Sequence, residues 1–377
     1  MGKKRLSNAI KRATEPKPKK PLWKGPSVDG ITQSLLSRFL VCRERFRLLV
    51  VEGLTEADAF NHRIEYGNMW HLCKEHPIEW KDRLVQYTKS LCERYRTQQE
   101  QIQHFMRICQ MQYTVYQSCW RDLKSETLLA EEAFSSKYEL PSGRIVILRG
   151  KWDAVLKVKQ GRKSVIYLGE NKSKGEIVEQ QIQRQLKFDL QTMIYLVALR
   201  KYAEKRKFAL PEGVRYNVVR RPLSGGKYSI SQRKGRQTKK GLVGAETPDQ
   251  FYARLQGLIE SDPEHFFMEW DVGISDQDMK RFEQRFLIPI LEQLCDWWES
   301  ISSNPHSPWI ATRSHAWLAE AGPGASSKYP NPLHWQTPYG FYNAMAEGRS
   351  TNLDEYLTSG STLGLERAKT LFRELEE

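Results

Sequence analysis

Two neighbouring segments of the sequence carry charged side chains in stretches that otherwise read as β-strands. Asp153 closes a Gly-x-x-Asp motif in "LRGKWDAVLKV", and Glu170 and Lys172 form a Glu-x-Lys motif in "YLGENKSKG". Residues two apart in a strand point to the same face, and an antiparallel neighbour would bring Asp153 opposite them. Two carboxylates held close together repel each other unless a positive charge lies between them. The pattern therefore predicts a site for a divalent cation with oxygen ligands.

Lys172 would supply the other half of the chemistry. Mg²⁺ typically binds one or two carboxylates together with substrate phosphate, and an ammonium beside it would stabilise an attacking hydroxide or a charged transition state. Each motif alone has a simpler interpretation, because a strand carboxylate is usually a surface residue or an ion-pair partner. A Glu-x-Lys triplet also arises by chance in a chain that is 28% charged. Only their combination points to catalysis.

The hydrophobic pattern predicts the elements that would position these residues. Three consecutive strands are expected in "LLAEEAFSSKYEL", "GRIVILRGKWDAVLKV" and "KSVIYLGENKS", with turns at "PSG" and "KQGRK" between them. A strongly amphipathic helix at about 177–205 would carry Gln191 and Tyr195 one turn apart on one face. One or two long helices are expected over 80–125, strands in "GVRYNVVRR" and "FFMEWDVGIS", and capped helices from "TPDQ" and "SDQD".

These elements predict an α/β (α+β) fold, in which a small mixed sheet is flanked by helices and a helical N-terminal layer. We expect four regions along the chain. They are a disordered basic arm at 1–28, a helical region at 29–127, a core with its C-terminal helices at 128–302, and an irregular tail at 303–377.

The net charge of +14 is concentrated in two places. Residues 1–24 hold seven Lys and two Arg against one Glu, and residues 220–240 hold eight basic residues and no acidic one. Two such clusters favour a polyanion partner, of which nucleic acid is the commonest, over a merely solvated or membrane-surface-binding face. The sequence shows neither a secretory apolar core nor an apolar run that would cross a bilayer. We therefore expect a cytoplasmic protein without a membrane partner.

The motifs together resemble the PD-(D/E)XK nuclease superfamily, in particular its RecB-like exonuclease branch. The resemblance rests on Gly-x-x-Asp153, Glu170-x-Lys172 and a following helix with Gln191-x-x-x-Tyr195, in the order that the branch has them. It implies a restriction-endonuclease-like core in which Lys172 assists the water nucleophile, while Gln191 and Tyr195 position the phosphate near the scissile bond.

The resemblance also implies the metal ligands. Asp153 and Glu170 would bind Mg²⁺ or Mn²⁺, aided by the main-chain carbonyl of Asn171. "EYGNMWHLCKE" resembles the Gly-x-x-x-His helix of the branch and adds His71 as a metal or phosphate contact, although a lone histidine is equally well a core or surface residue. The function implied is an Mg²⁺-dependent deoxyribonuclease, with an exonuclease in DNA recombination, repair or phage replication as its expected form.

One departure from the branch concerns cysteine. Several relatives hold an iron–sulfur cluster through one N-terminal and three C-terminal cysteines, and Cys42 stands at the first of these positions. The C-terminal segment "NPLHWQTPYGFYNAMAEG" has no cysteine, and Cys295 cannot replace three thiolates. We expect a phage-type member without a cluster.

Two alternatives stay open from the sequence. One is a catalytically inactive nuclease-fold module that binds DNA or serves as a scaffold for a recombination or repair partner. The other is a basic protein that is directed to RNA or has a purely structural role.

Overall fold

The structure of the protein is a computed structural model. It describes residues 21–303, except 42, 57–59, 120–124, 176, 178–185, 188, 223–232 and 239–240, and residues 365–368, 370–372 and 375. The chain forms two compact units. The first, here the sheet unit, comprises Gly30–Leu36 and Asp58–Asp296, and the second comprises the described parts of Met1–Asp29, Ser37–Ala57 and Trp297–Glu377. The fourfold division made from the sequence stays a prediction.

Helices and strands follow one another in short runs along the described chain. The helices are α1 (Gln33–Val41), α2 (Arg43–Phe46), α3 (His62–Glu75), α4 (Trp80–Arg94), α5 (Gln99–Cys119), α6 (Leu190–Arg206), α7 (Pro248–Ser261), α8 (Pro263–Phe266), α9 (Asp276–Phe282) and α10 (Ile288–Ser303). The strands are β1 (Leu54–Glu56), β2 (Ser125–Glu139), β3 (Ile145–Gln160), β4 (Lys163–Lys174), β5 (Pro211–Arg220), β6 (Lys234–Thr238), β7 (Gly241–Ala245), β8 (Phe267–Gly273) and β9 (Leu365–Arg367). The predicted α/β class, with a mixed sheet flanked by helices, is confirmed.

The sheet unit is built on a five-stranded mixed sheet of order β2-β3-β4-β5-β8. Strands β4 and β5 are parallel, whereas the other neighbours are antiparallel. Parallel neighbours need a crossover connection, and α6 lies in the connection between β4 and β5. The three strands predicted from 128 onward thus form the β2-β3-β4 meander, and β5 and β8 complete the sheet.

Glycines close the two hairpins of the meander. Gly143 and Gly161 have φ angles of 80° and 61°, and a Cβ added at either position would meet no atom within 4 Å. Their requirement is therefore conformational rather than steric, because a positive φ is readily adopted only by glycine. These turns set the register that aligns β3 with both of its neighbours.

The start of α6 differs from the prediction of a helix at about 177–205. The helix begins at Leu190, because Asp189 caps it. One carboxylate oxygen of Asp189 accepts hydrogen bonds from the main-chain N–H groups of Gln191 at 2.8 Å and Thr192 at 3.2 Å. A capping carboxylate satisfies N–H groups that lack helical partners, so the chain enters the helix only after it.

The predicted amphipathic character of α6 is also wrong. Residues 192–199 are all buried, so the middle of the helix has no exposed face. A helix that is buried all round has to be apolar all round, which hides the periodicity of a surface helix. Residues 178–185, where the prediction placed the first half of the helix, lie outside the described residues.

Helices α3, α4, α5 and α7 pack on the opposite side of the sheet from α6. The Tyr216 hydroxyl donates to Thr192 of α6 at 2.9 Å, and strand alternation turns Val219 to the other face. There Val219 joins an aromatic core that includes Tyr66, Trp70, Tyr113, Phe251 and Phe267. The predicted long helices over 80–125 are α4 and α5, and both predicted capping boxes form, at Thr247 and at Ser275.

The second unit has an aromatic cluster of its own. The ring of Trp23 lies 5.3 Å from Phe46 and 4.9 Å from Trp298, and Phe46 lies 5.4 Å from Trp297. The short strands β1 and β9 pair antiparallel in this unit. Among the described helices of the whole chain, none is long and apolar enough to cross a membrane.

Gly150, the glycine of the Gly-x-x-Asp motif, is required by packing. An added Cβ would lie 2.6 Å from the Tyr195 ring and 2.7 Å from the Phe134 ring. We expect Gly150→Ala to lower the free energy of unfolding by about 1–3 kcal/mol, because two packed rings would have to move. Urea unfolding followed by circular dichroism measures the change.

The matched control is Gly257→Ala in the interior of α7. This glycine is exposed, and an added Cβ meets no atom within 4 Å. The control should raise the free energy of unfolding by roughly 0.5–1 kcal/mol, since alanine is the better helix former. Equal stability of Gly150→Ala and the parent protein would contradict the packing role.

Candidate active site

Asp153 lies in β3, one residue beyond the last position at which β3 pairs with β4. The paired register runs from Gln160 and Lys163 to Ala154 and Gly169. One residue further, the main-chain N–H of Asn171 donates to Oδ2 of Asp153 at 2.7 Å. A side-chain carboxylate thus takes an N–H group of β4, which fixes Asp153 against the next strand.

Glu170 is the most deeply buried charged group of the site, with 1% of its surface exposed. Its Oε1 accepts hydrogen bonds from Lys172 Nζ at 2.6 Å and from Gln191 Nε2 at 3.0 Å. Its Oε2 is buried and has no hydrogen-bond partner among the residues that the structure describes. A buried carboxylate oxygen without a partner costs free energy, so this atom is available to a ligand.

Lys172 and Gln191 complete the polar network around Glu170. Lys172 Nζ also donates to Oε1 of Gln191 at 2.9 Å, so the Gln191 amide both accepts from the lysine and donates to the glutamate. Burial alone would lower the pKa of Lys172, but the carboxylates of Glu170, Asp189 and Asp153 together outweigh burial and raise it. Lys172 is therefore charged, and two of its three N–H groups are used.

Burial raises the pKa values of both carboxylates. The pKa of Asp153 rises to about 7, because burial, aided by Glu131, outweighs the opposing effects of the Asn171 N–H group, Lys172 and Lys151. The pKa of Glu170 also rises to about 7, because burial and the neighbouring Asp153 outweigh Lys172. Two acids in this condition need a cation if both are to be ionised near neutral pH.

His71 and Glu131 lie beside Asp153. One ligand atom each of His71, Glu131 and Asp153 falls within 4.8 Å of the others, and His71 Nδ1 lies 3.7 Å from Asp153 Oδ2. Burial lowers the pKa of His71 below its usual value. The imidazole is therefore neutral at pH 7, which is the form that binds metals.

Sequence reasoning missed Glu131. The register that pairs Ala130 with Ala154 and Glu132 with Trp152 sets Glu131 opposite Asp153. Glu131 has a φ of 49°, a left-handed conformation that is uncommon for a non-glycine residue and is often found at functional sites. The only signal in the sequence was an acid within a strand, and its distance from Asp153 depends on the length of the hairpin.

Tyr195 lies behind the carboxylates rather than in the open. It is 9% exposed, and its ring packs edge-on against Phe134 at 5.3 Å. Burial raises its pKa well above the usual value, with a further contribution from Glu170, against the opposing effects of the Lys151 main chain and of Gln191. The hydroxyl is neutral and can donate a hydrogen bond. Its predicted contact with phosphate stays a prediction.

The residues present fit a divalent cation. The donor set of carboxylates with a neutral imidazole suits a divalent cation, and an orphaned oxygen of Glu170 lies buried beside it. The sequence-predicted residues His71, Asp153, Glu170 and Asn171 are thus brought together, with Glu131 as an addition.

Several predictions fall on residues that the structure does not describe. These are most of the basic arm, the Cys42 side chain, residues 223–232 and 239–240 of the basic segment 220–240 (here the basic loop), and residues 304–364 of the tail. Cys73, Cys109 and Cys295 are buried and form no disulfide within the described part of the chain.

The comparison with known families agrees with the geometry. The family model of the PD-(D/E)XK nuclease superfamily matches residues 31–280, a span that contains every site residue above. No curated protein sequence shows significant similarity to the chain. The matched span covers well over half of the chain and carries the mixed sheet with its buried Asp153, Glu170 and Lys172, so the chain belongs to the PD-(D/E)XK nuclease superfamily.

Proposed function

We propose that this protein is a deoxyribonuclease that uses Mg²⁺ or Mn²⁺ to hydrolyse phosphodiester bonds, and that it acts as an exonuclease in DNA recombination, repair or phage replication. The observation that supports the proposal is the assembly of Asp153, Glu170 and Lys172 in one buried network in a chain of this superfamily. The RecB-like branch is part of the proposal, since it rests on the motif order alone.

We assign the metal to the carboxylates of Asp153 and Glu170, with the Asn171 carbonyl, His71 and Glu131 as further ligands. Glu170 Oε2 and the close set of His71, Glu131 and Asp153 support this assignment. A divalent cation bound there would lower the pKa of a water molecule and neutralise charge on the phosphate.

Lys172 is assigned to stabilising negative charge. A lysine with a raised pKa donates hydrogen bonds and does not remove a proton. In hydrolysis, the oxygen of water forms a bond to phosphorus while the bond from phosphorus to the leaving sugar oxygen breaks. Lys172 Nζ makes two hydrogen bonds to side chains that the structure describes, so its third N–H group can donate to the attacking oxygen or to the phosphate.

Gln191 and Tyr195 are assigned to positioning. The Gln191 amide holds Lys172 and Glu170 at fixed distances, and the neutral Tyr195 hydroxyl lies in the same network. Affinity for DNA is assigned to the basic arm and the basic loop, where Arg233 and Lys234 are exposed. Contacts of this kind act on the phosphate backbone and carry little sequence information.

The rival function is an inactive module that binds DNA through the same basic surfaces. A site that has lost its catalytic activity would not need to keep a charged lysine between a buried glutamate and a glutamine. Degradation of DNA with Mg²⁺, measured against the same reaction with EDTA, separates the two functions.

We expect substitutions of the metal ligands and of Lys172 to have different effects on metal binding and cleavage. Asp153→Asn and Glu170→Gln each remove a metal ligand's charge, so metal binding and cleavage should fall together. Lys172→Ala should keep the metal and lose about 10²–10³ in rate, as when one preorganised stabilising group is removed. Calorimetry with Mg²⁺ or Mn²⁺ and cleavage of labelled DNA measure the two effects.

Lys157→Ala is the matched control on β3. Its side chain is 41% exposed and its ammonium pairs with Glu126 at 3.1 Å on the surface, so rate and metal binding should stay at the parent values. Folded Glu170→Gln and Lys172→Ala proteins that bind DNA and cut it at the parent rate would overturn the proposal.

Metal affinity should rise with pH. Below pH 7 the carboxyl groups of Asp153 and Glu170 hold protons, because their pKa values lie at about 7, and a metal has to displace them. Between pH 6 and pH 8 we expect the dissociation constant to fall about tenfold for each proton released. Calorimetry at the two pH values measures it. Asp153→Asn should show a smaller change, and a pH-independent constant in the parent protein would contradict the assignment.

A further inference from the structure

Two asparagine amides lie side by side next to the metal ligands. Asn171 of β4 and Asn217 of β5 are direct partners in the parallel register. They are 8% and 9% exposed, and neither Oδ1 atom has a hydrogen-bond partner within the described part of the chain. Two adjacent buried amide oxygens without donors are costly, and they require a ligand or water that donates hydrogen bonds.

Both amides line one cavity of about 370 Å³, which we call the amide cavity. Asp153 and Glu131 line the same cavity, so an occupant would lie directly beside the metal ligands. Its volume is at the lower end of the range of about 300–1,000 Å³ that is typical of small-molecule sites.

The charges of the lining are balanced once the assigned cation is bound. The amide cavity has three carboxylates, of Glu75, Glu131 and Asp153, against the ammonium of Lys74, and the proposed divalent cation would offset the charge of Glu131 and Asp153. Lys74 Nζ donates to the Tyr116 hydroxyl at 2.6 Å. A neutral group therefore fits the rest of the cavity without adding an unpaired charge.

The aromatic lining favours a flat ring. Tyr113 and Tyr116 both line the amide cavity, and they are 2% and 7% exposed. Their rings stack on each other with centroids 5.7 Å apart and planes at 23°, and Lys74 Nζ lies 4.6 Å from the centre of the Tyr116 ring. They therefore form an aromatic wall against which a flat ring can pack, rather than a free face for stacking. An asparagine amide pairs with the amino group and adjacent ring nitrogen of adenine. A sugar would use the amides but would gain little from the tyrosines.

We propose that the amide cavity binds the base of the substrate nucleotide next to the scissile phosphate, and that Asn171 and Asn217 accept a hydrogen bond from its exocyclic amino group. The inference rests on the proposed nuclease function and adds a base-reading subsite to it. Because no described protein donor fixes either amide oxygen, the amides are free to pair with a base.

The test uses a set of labelled DNA oligonucleotides that differ at one position. An adenine at successive positions is replaced by purine, which lacks only the amino group, or by an abasic residue, and Mn²⁺-dependent cleavage is read at single-nucleotide resolution. With the parent protein, we expect cleavage at one phosphate, at a fixed distance from the substitution, to slow about five- to tenfold with purine. The abasic residue should slow it more, and other positions should be unaffected.

Asn217→Ala is the matching variant, since Asn217 is not assigned to the metal. It should cut the adenine substrate about five- to tenfold more slowly and lose the difference between adenine and purine. Gln110→Ala, an exposed residue of α5 outside the cavity, should keep the difference. If Asn217→Ala fails to fold, the comparison of adenine, purine and abasic substrates with the parent protein still tests whether the amide cavity binds a base.

The outcomes separate the two proposals. Equal cleavage of adenine, purine and abasic substrates at every position would overturn the inference, leave the nuclease function intact, and mean that the amides hold only water. A folded Asn217→Ala protein that keeps the adenine preference would overturn the role of the amides. A parent protein that cuts no oligonucleotide would remove the nuclease function and the inference with it.

Discussion

The burial of two carboxylates in one site is the constraint on which the rest of the structure depends. Burial raises the pKa of Asp153 and of Glu170 to about 7. Hydrogen-bond donors from the surrounding elements offset part of the cost of burying these carboxylates. The Asn171 N–H fixes Asp153, whereas Lys172 and Gln191 hold one oxygen of Glu170. That compensation is incomplete, because the other Glu170 oxygen lacks a described partner. A site of this kind is organised for an added cation rather than for stability.

Each nearby element serves this arrangement. Strand β4 runs antiparallel to β3 and parallel to β5, so one strand supplies Glu170 and Lys172 towards α6 and Asn171 towards the amide cavity. The cap at Asp189 starts α6 where Gln191 falls in its first turn and reaches both Glu170 and Lys172. The left-handed backbone at Glu131, opposite Asp153, is the strain in β2 that accompanies this site.

Local patterns in the sequence were enough to predict part of the fold and part of the site. The strands, the hairpins and the Asp153, Glu170 and Lys172 motifs could be predicted, because two-residue alternation and glycine turns act over a few residues. Glu131 could not, since its position opposite Asp153 depends on the hairpin register and on an unusual φ. The start of α6 was hidden because the apolar pattern runs on across Asp189. The position of Asn217 beside Asn171 could not be predicted, because a crossover connection rather than a tight turn sets the register of parallel strands.

The most direct test of a buried carboxylate pair that holds a divalent cation is a crystal structure of the protein grown with Mn²⁺, examined by anomalous diffraction. The account predicts an anomalous peak within coordination distance of both Asp153 and Glu170, with His71 or Glu131 at its side. At saturating Mn²⁺, an anomalous map with no peak between these two carboxylates, or with its peak at another site, would contradict it.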